Sequence, residues 1–422
     1  MLDLTPGLAE RLFETRALSL ELAEPLSAED MVVQAMDDAS PTKWHLGHVT
    51  WFFETFILKD HVPGYETFDP SFNYCFNSYY ETQGARHPRP LRGLLTRPPV
   101  DRVIAYRRHV DGALERLMTA GGLEIPAIAS LIEIGINHEQ QHQELLLTDI
   151  LALFAASPLR PAYREPGSGA RAEVRDISEA GWISFDGGIR DVGHDGKGFC
   201  WDNELPRHQV LLQPFRLADR LVTNGEWRNF IEDGGYRDPL LWLSDGWASV
   251  QREGWDAPQY WEKRDDQWHM MTLEGLLPVD AQAPVSHVSY YEADAFARWS
   301  GCRLPTEFEW ETAAAGLPCE GNLLARGALR PVAVASPAGP DARQMFGDVW
   351  EWTQSAYQSY PGYRPAPGAV GEYNGKFMVG QQVLRGASCV TPAGHTRATY
   401  RNFFYPHQRW QFMGVRLAKD NV

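Results

Sequence analysis

Residues 127–155 read AIASLIEIGINHEQQHQELLLTDILALFA, an unbroken stretch whose apolar side chains return at helical intervals. It is read as a long helix, and it sets the fold class of the N-terminal part because three upstream segments behave alike. Residues 7–24 place Leu8, Leu12, Leu18 and Leu22 at roughly helical spacing, with acidic residues between them. Residues 41–60, PTKWHLGHVTWFFETFILKD, open on a Pro/Thr entry signal and run to a Lys-Asp end. Residues 99–119 supply the remaining candidate. Four helices joined by loops predict an antiparallel bundle, whose core can hold a metal site built from facing helices.

The chain changes character near residue 157. Residues 157–181, SPLRPAYREPGSGARAEVRDISEAG, form a Pro/Gly/Ala-rich connector. From Trp182 onward the pattern is short strands, glycine turns and few helices, with strands in WISFDGGIRDVG and RHQVLLQPFRLADRLVT and helices at about 223–233 and 289–301. The expected organisation is α+β and multidomain: a helical bundle over 1–156, a linker over 157–181 and a second domain over 182–422. A length of 422 residues suits two or three domains. Between the second and third helices lies a long irregular stretch, residues 64–99, rich in aromatics, Pro and Arg, and a connection of that length is more often functional than passive.

Composition narrows the function classes. The formal net charge is 39 − 55 = −16, which argues against a nucleic-acid partner and against an anionic membrane surface. No apolar run approaches the roughly 20 residues needed to span a bilayer. The acidic, interrupted N-terminus does not read as a signal peptide. The five cysteines are scattered with no C-x-x-C pair, as expected for reduced thiols in a cytoplasmic protein.

Within the long helix, His138-Glu139-Gln140-Gln141-His142 spells H-E-x-x-H, the string that gives zinc proteases two ligands and a base. A metzincin extension would need glycine where this chain has Leu145 and histidine where it has Thr148, and Glu165 falls in linker sequence. The protease reading is therefore set aside. His138 and His142 still project from one helix face about a turn apart, so both imidazoles can reach one metal. Upstream, Trp44-His45-Leu46-Gly47-His48 offers a third ligand. His48, on the same side as Phe52, is preferred, and His45 is the competing candidate. Three neutral imidazoles suit Zn, Fe or Cu, and ligand type alone does not choose. Glu144 lies about 200° round the helix from His142; it either orients a neighbouring ligand or is a surface carboxylate. Glu139 reads as an exposed helix carboxylate.

Together these strings resemble one family. WHLGH with the H-x-x-x-H-x-E of His138, His142 and Glu144 resembles the DinB-like four-helix bundle of the sulfoxide synthases of ergothioneine biosynthesis. PVSHVSYYEADAFARWSGCRLPTEFEWE (284–311), GDVWEWT (347–353), LRGASC (384–389) and TYRNFFYPHQRWQFMGVRLA (399–418) resemble the formylglycine-generating-enzyme (sulfatase-modifying factor) fold, related to C-type lectins. The resemblance implies Fe(II) on His48, His138 and His142, with O2 as oxidant. It further implies oxidative C–S bond formation between hercynine and a small thiol, cysteine or γ-glutamylcysteine, giving a hercynyl sulfoxide. Tyr79 and Tyr80 match the family's active-site tyrosines, with Tyr79 ranked ahead. Arg86 and Arg89 match clamps for the thiol's carboxylate, to which guanidinium is suited. Gln141, Asn402, Phe403 and Phe404 match positions that contact hercynine, whose quaternary ammonium aromatic faces attract. The family often has tryptophan and aspartate where this chain has Phe403 and Phe404, which favours the subgroup with a smaller thiol. Cys389 is read as structural. Two alternatives accompany this reading: a homologue joining hercynine to a selenosugar, and a non-catalytic lectin-like binding protein.

Overall fold

Four long helices build the N-terminal part of the computed structural model, which describes residues 7–165, 179–334, 341–366, 371 and 374–421. They are α1 (Leu8–Ala23), α2 (Thr42–Phe53), α5 (Val100–Thr119) and α6 (Pro126–Ala156). After α2 the chain passes through a π-helical turn, Glu54–Leu58, into the short α3 (Lys59–His61), and α4 (Phe72–Phe76) lies in the long connection. Proline at its first turn starts α6, where a missing N–H leaves no helix bond unmade. α1 and α2 both pack on α6, and α2 also packs on α5. Every residue of α2 is buried. A helix covered on all sides must satisfy each polar side chain internally, so Thr50 Oγ1 donates to the Leu46 carbonyl (2.8 Å) and Lys43 Nζ to the carbonyl of Leu95.

The connection between α2 and α5 is tied down by the buried carboxylate of Glu54. It accepts from Tyr65 Oη (2.8 Å), the Phe68 amide (3.0 Å) and Tyr106 Oη (2.6 Å). α4 is strapped to α2 in the same way: Trp44 Nε1 donates to the Cys75 carbonyl (2.9 Å) and Trp51 Nε1 to Asn73 Oδ1 (2.9 Å). Past α6, Tyr163 Oη donates to the carbonyl of Leu22 (2.8 Å). The chain divides between Arg164 and Glu165 into two compact units. Most of the expected linker, residues 166–178, lies outside the described residues.

Among the described residues the second unit combines short sheets with four α-helices, α7 (Asn224–Glu232), α8 (Ser244–Glu253), α9 (Tyr290–Trp299) and α10 (Glu307–Ala314). Strands β1 (Trp182–Phe185), β2 (Gly188–Val192), β3 (His208–Leu212) and β4 (Phe215–Ala218) come first, then β5 (Trp261–Arg264), β6 (Gln267–Thr272) and β7 (Gly275–Pro278). The last are β8 (Trp350–Ala356), β9 (Gln382–Gly386), β10 (Asn402–Phe404), β11 (Met413–Gly414) and β12 (Ala418–Asp420). They pair in the orders β1-β4-β12, β2-β3, β5-β6-β7 and β10-β9-β8-β11. One core packs Phe215, Leu217 and Ala418 against Trp310, Ala314, Met345 and Phe346. Beside it, Arg416 meets Glu351 (2.7 Å), and Arg385 and Arg401 share Glu307 (both 2.8 Å), all buried.

The helices expected near 223–233 and 289–301 form, while α8 and α10 add to a unit read as poor in helix. α10 carries its own start signal, Thr306 with Glu309 as a capping box, as Thr223 with Glu226 and Ser289 with Glu292 do for α7 and α9. All five cysteines are free, and Cys389 is fully buried.

Candidate metal centre

Two helices position the histidine cluster. α6 presents His138 and His142 one turn apart, and α2 presents His48 opposite them. One ligand nitrogen from each ring lies within 4.8 Å of the other two. His48 Nε2 and His138 Nε2 are 3.2 Å apart. His48 Nδ1 lies 2.6 Å from the Phe76 carbonyl, which can only accept; that nitrogen therefore carries the hydrogen and Nε2 keeps its lone pair. Burial holds the His48 imidazole well below its ordinary pKa, with His138 adding to it; burial pushes His138 down to about 3; burial and then His138 also lower His142. The three rings are neutral at physiological pH, the form that ligates. Trp44 and Trp51 stack on either side of the His48 ring (4.6 and 5.7 Å), and Phe52 packs on His138 (4.9 Å). Three neutral imidazoles in an aromatic wall fit a divalent transition ion, and among the described residues no carboxylate belongs to the set.

Glycine at position 47 makes this arrangement possible. A Cβ there would strike the Phe76 ring, whose own residue supplies the carbonyl that orients His48. His45, the competing candidate, points to the far side of His142: its Nδ1 lies 2.8 Å from His142 Nδ1 and its Nε2 lies 3.0 Å from Asp149 Oδ2. Gln141 is half-buried immediately before His142. Glu144 is buried, which removes its reading as a surface carboxylate.

Glu139 is a correction. Read as an exposed helix carboxylate, it is fully buried and accepts from Arg16 Nη1 (3.0 Å), Arg107 Nη2 and Ser19 Oγ (2.6 Å). Burial works to raise its pKa, but Arg107 and Arg16 overcome that and hold the carboxyl below its ordinary value. The residue that would be a protease base instead ties α6 to α1 and α5.

In the long connection, Tyr80 is buried with its ring 5.6 Å from Trp51 and 5.1 Å from Phe56, and Tyr79 lies 4.7 Å from Tyr80. Arg86 pairs with Glu81, and Arg89 is exposed. A third arginine of this stretch, not singled out from sequence, is Arg92. It is buried, its guanidinium sits 3.3 Å over the Trp44 ring, and it donates to Ser40 Oγ (2.9 Å) and Ser78 Oγ (3.1 Å). Its Nε meets no hydrogen-bond acceptor among the described residues. Burial, then the charge of Arg89, lowers its pKa well below the usual guanidinium value. The sequence signal was the R-x-x-R-x-x-R run of Arg86, Arg89 and Arg92, and nothing local said which of them turns inward.

In the second unit, Asn402, Phe403 and Phe404 form β10, paired antiparallel with β9. Phe403 stacks on Tyr357 (4.1 Å) and Phe377 (5.8 Å), and Phe404 meets Trp410 edge-on (5.6 Å). Asn402 Oδ1 accepts from the Phe403 amide (2.9 Å).

Comparison with known proteins agrees with both halves of this architecture. Residues 11–146 match the DinB superfamily, and residues 169–421 match the Sulfatase-modifying factor enzyme 1-like domain. The chain is 34% identical to the hercynine oxygenase of Mycobacterium tuberculosis, over 98% of each chain. It is equally identical to the hercynine oxygenase of Mycolicibacterium thermoresistibile, over 98% of this chain and 94% of that one. Ergothioneine biosynthesis protein 1 of Schizosaccharomyces pombe is 27% identical over 53% of this chain and 28% of its own. Similar over 98% of its length to the two hercynine oxygenases, and matching both domain families itself, the chain belongs to the hercynine oxygenase family, the sulfoxide synthases of ergothioneine biosynthesis.

Proposed function

We propose that this protein is a non-haem Fe(II) oxidoreductase that joins hercynine to a small thiol with O2, giving a hercynyl sulfoxide. The observation that carries the proposal is the convergence of His48, His138 and His142 in a buried aromatic wall, in a chain of this family. Iron bound there would supply open coordination positions for substrates and O2, together with one-electron redox chemistry. The surrounding residues set the rest. Trp44 and Trp51 stack on His48 and Phe52 packs on His138, so those two imidazoles are shielded by aromatic rings. Tyr79 and Tyr80 are assigned the proton- or electron-donating role, with the phenol of Tyr79 ranked first. Gln141, Asn402, Phe403 and Phe404 are assigned to hercynine, the aromatic faces taking its trimethylammonium group.

Arg92 bears on the second substrate. A buried guanidinium whose hydrogen-bond partners are two serine hydroxyls has a charge that a carboxylate would neutralise. Arg89 and Arg86 lie near enough to lower its pKa further, while the Asp149 carboxylate offsets only part of the effect, its pKa staying well below the usual value. This supports an acid-bearing thiol, cysteine or γ-glutamylcysteine, with Arg92 as inner contact and Arg86 and Arg89 around it. A selenosugar has no carboxylate to meet that charge. The test is anaerobic reconstitution with Fe(II), then O2 and hercynine with each thiol or a selenosugar in turn, products being read by mass. A hercynyl sulfoxide from a thiol acid is expected. Product only with the selenosugar, or no O2 consumption with any donor, would overturn the reading.

A further inference from the structure

His45 has no assigned task, yet it is buried between two polar partners on α6. His142 and Asp149 are seven residues apart, so they share one face of α6 two turns apart. Between them stands the His45 ring, entering from α2, with Nδ1 2.8 Å from His142 Nδ1 and Nε2 3.0 Å from Asp149 Oδ2. The same carboxylate oxygen accepts the Ser40 amide (2.8 Å), which keeps it in place. The hydrogen positions follow from what each atom can do. A carboxylate only accepts, so His45 Nε2 carries hydrogen. With His45 Nδ1 as the acceptor of the pair, the hydrogen between the two imidazoles sits on His142 Nδ1. That leaves His142 Nε2 as the bare nitrogen, the one free to serve in the cluster with His48 and His138.

We propose that Asp149 and His45 are positioning residues, an Asp149–His45–His142 relay that selects the ligating tautomer of His142 and makes it a stronger donor. Ligand histidines commonly give their second N–H to a carboxylate; here an imidazole is interposed, and the carboxylate acts through it. The assignment rests on the metal reading above, and its test separates the two. In the metal-free, uniformly 15N-labelled wild type, long-range 1H–15N correlation is expected to find His142 with hydrogen on Nδ1. Co(II) affinity, measured by chelator competition, is expected to fall about 10- to 100-fold in His45→Phe and by less in Asp149→Asn, which retains an acceptor without the charge. Circular dichroism checks folding, and Asp149→Asn alone decides if His45→Phe does not fold. Hydrogen on Nε2 of wild-type His142, or wild-type Co(II) affinity in the folded variants, would overturn the relay. A wild type with the expected tautomer that binds neither Co(II) nor Fe(II) would support the relay's hydrogen order and overturn the metal reading instead.

Discussion

Glu139 and Arg92 are charged residues whose roles depend on burial. Removing one partner of a buried ion network strands the others, at a cost of about 3–5 kcal/mol. Glu139→Gln is therefore expected to lower stability by that order in urea melts at neutral pH, leaving Arg16 and Arg107 without their shared carboxylate. The pH dependence follows from the direction of the shift. The folded pKa lies below the ordinary 4.5, so this stabilisation is complete above that value and is lost as pH falls through the lower folded value. The gap between wild type and variant should narrow in acid; a constant gap would contradict the ionised network. Arg92→Met should raise KM for the thiol at least tenfold, with unchanged metal affinity and little change in KM for hercynine. Steady-state kinetics with each substrate varied separately measures this. Neither role was legible locally. Glu139 meets Arg16 and Arg107 across 123 and 32 positions of chain, and a Glu beside a His reads as a solvated turn of helix until those partners are in place.

The decisive element is α2, with the short α4 strapped to it. Trp44, Leu46, Val49, Trp51, Phe52 and Phe53 make it a strongly apolar helix, but the contacts of its buried polar residues do not follow from the sequence. Gly47 lets the Phe76 ring close on the helix, and the Phe76 carbonyl then fixes His48. Gly47→Ala is expected to lower stability by about 1–3 kcal/mol through overpacking and to weaken metal binding as His48 loses its orienting acceptor. Co(II) titration beside a thermal melt tests both effects, and wild-type affinity would count against this account. In the second unit, Thr306→Ala removes the cap of α10, with an expected loss of about 1 kcal/mol and no change in metal affinity. α10 was legible in T-E-F-E as a capping box, although its eight residues are too short for helical periodicity to stand out. α8 has no side-chain cap hydrogen bond, and its start lacked that signal.

Across the whole molecule, the three histidines and their orienting groups all belong to the first of the two units. A fragment of residues 1–164 is thus expected to keep its helical circular dichroism and bind a single Fe(II) or Co(II), while producing no hercynyl sulfoxide. A fragment that folds but binds neither metal would place part of the metal site elsewhere. By itself the sequence determined the division into a helical part and a strand-rich part, the long helices, and the pairing of His138 with His142, because these depend on short-range periodicity. It also carried the family's strings, which made the two-domain combination readable. Only the tertiary structure gathers His48, and not His45 three residues before it on the same buried helix, with His138 and His142. It also turned Glu139 and Arg92 inward and placed Asp149 behind the cluster. The reason is physical: which face of α2 meets α6, and where the connection folds back on both, is set by packing between segments distant in sequence, and no local spacing encodes it.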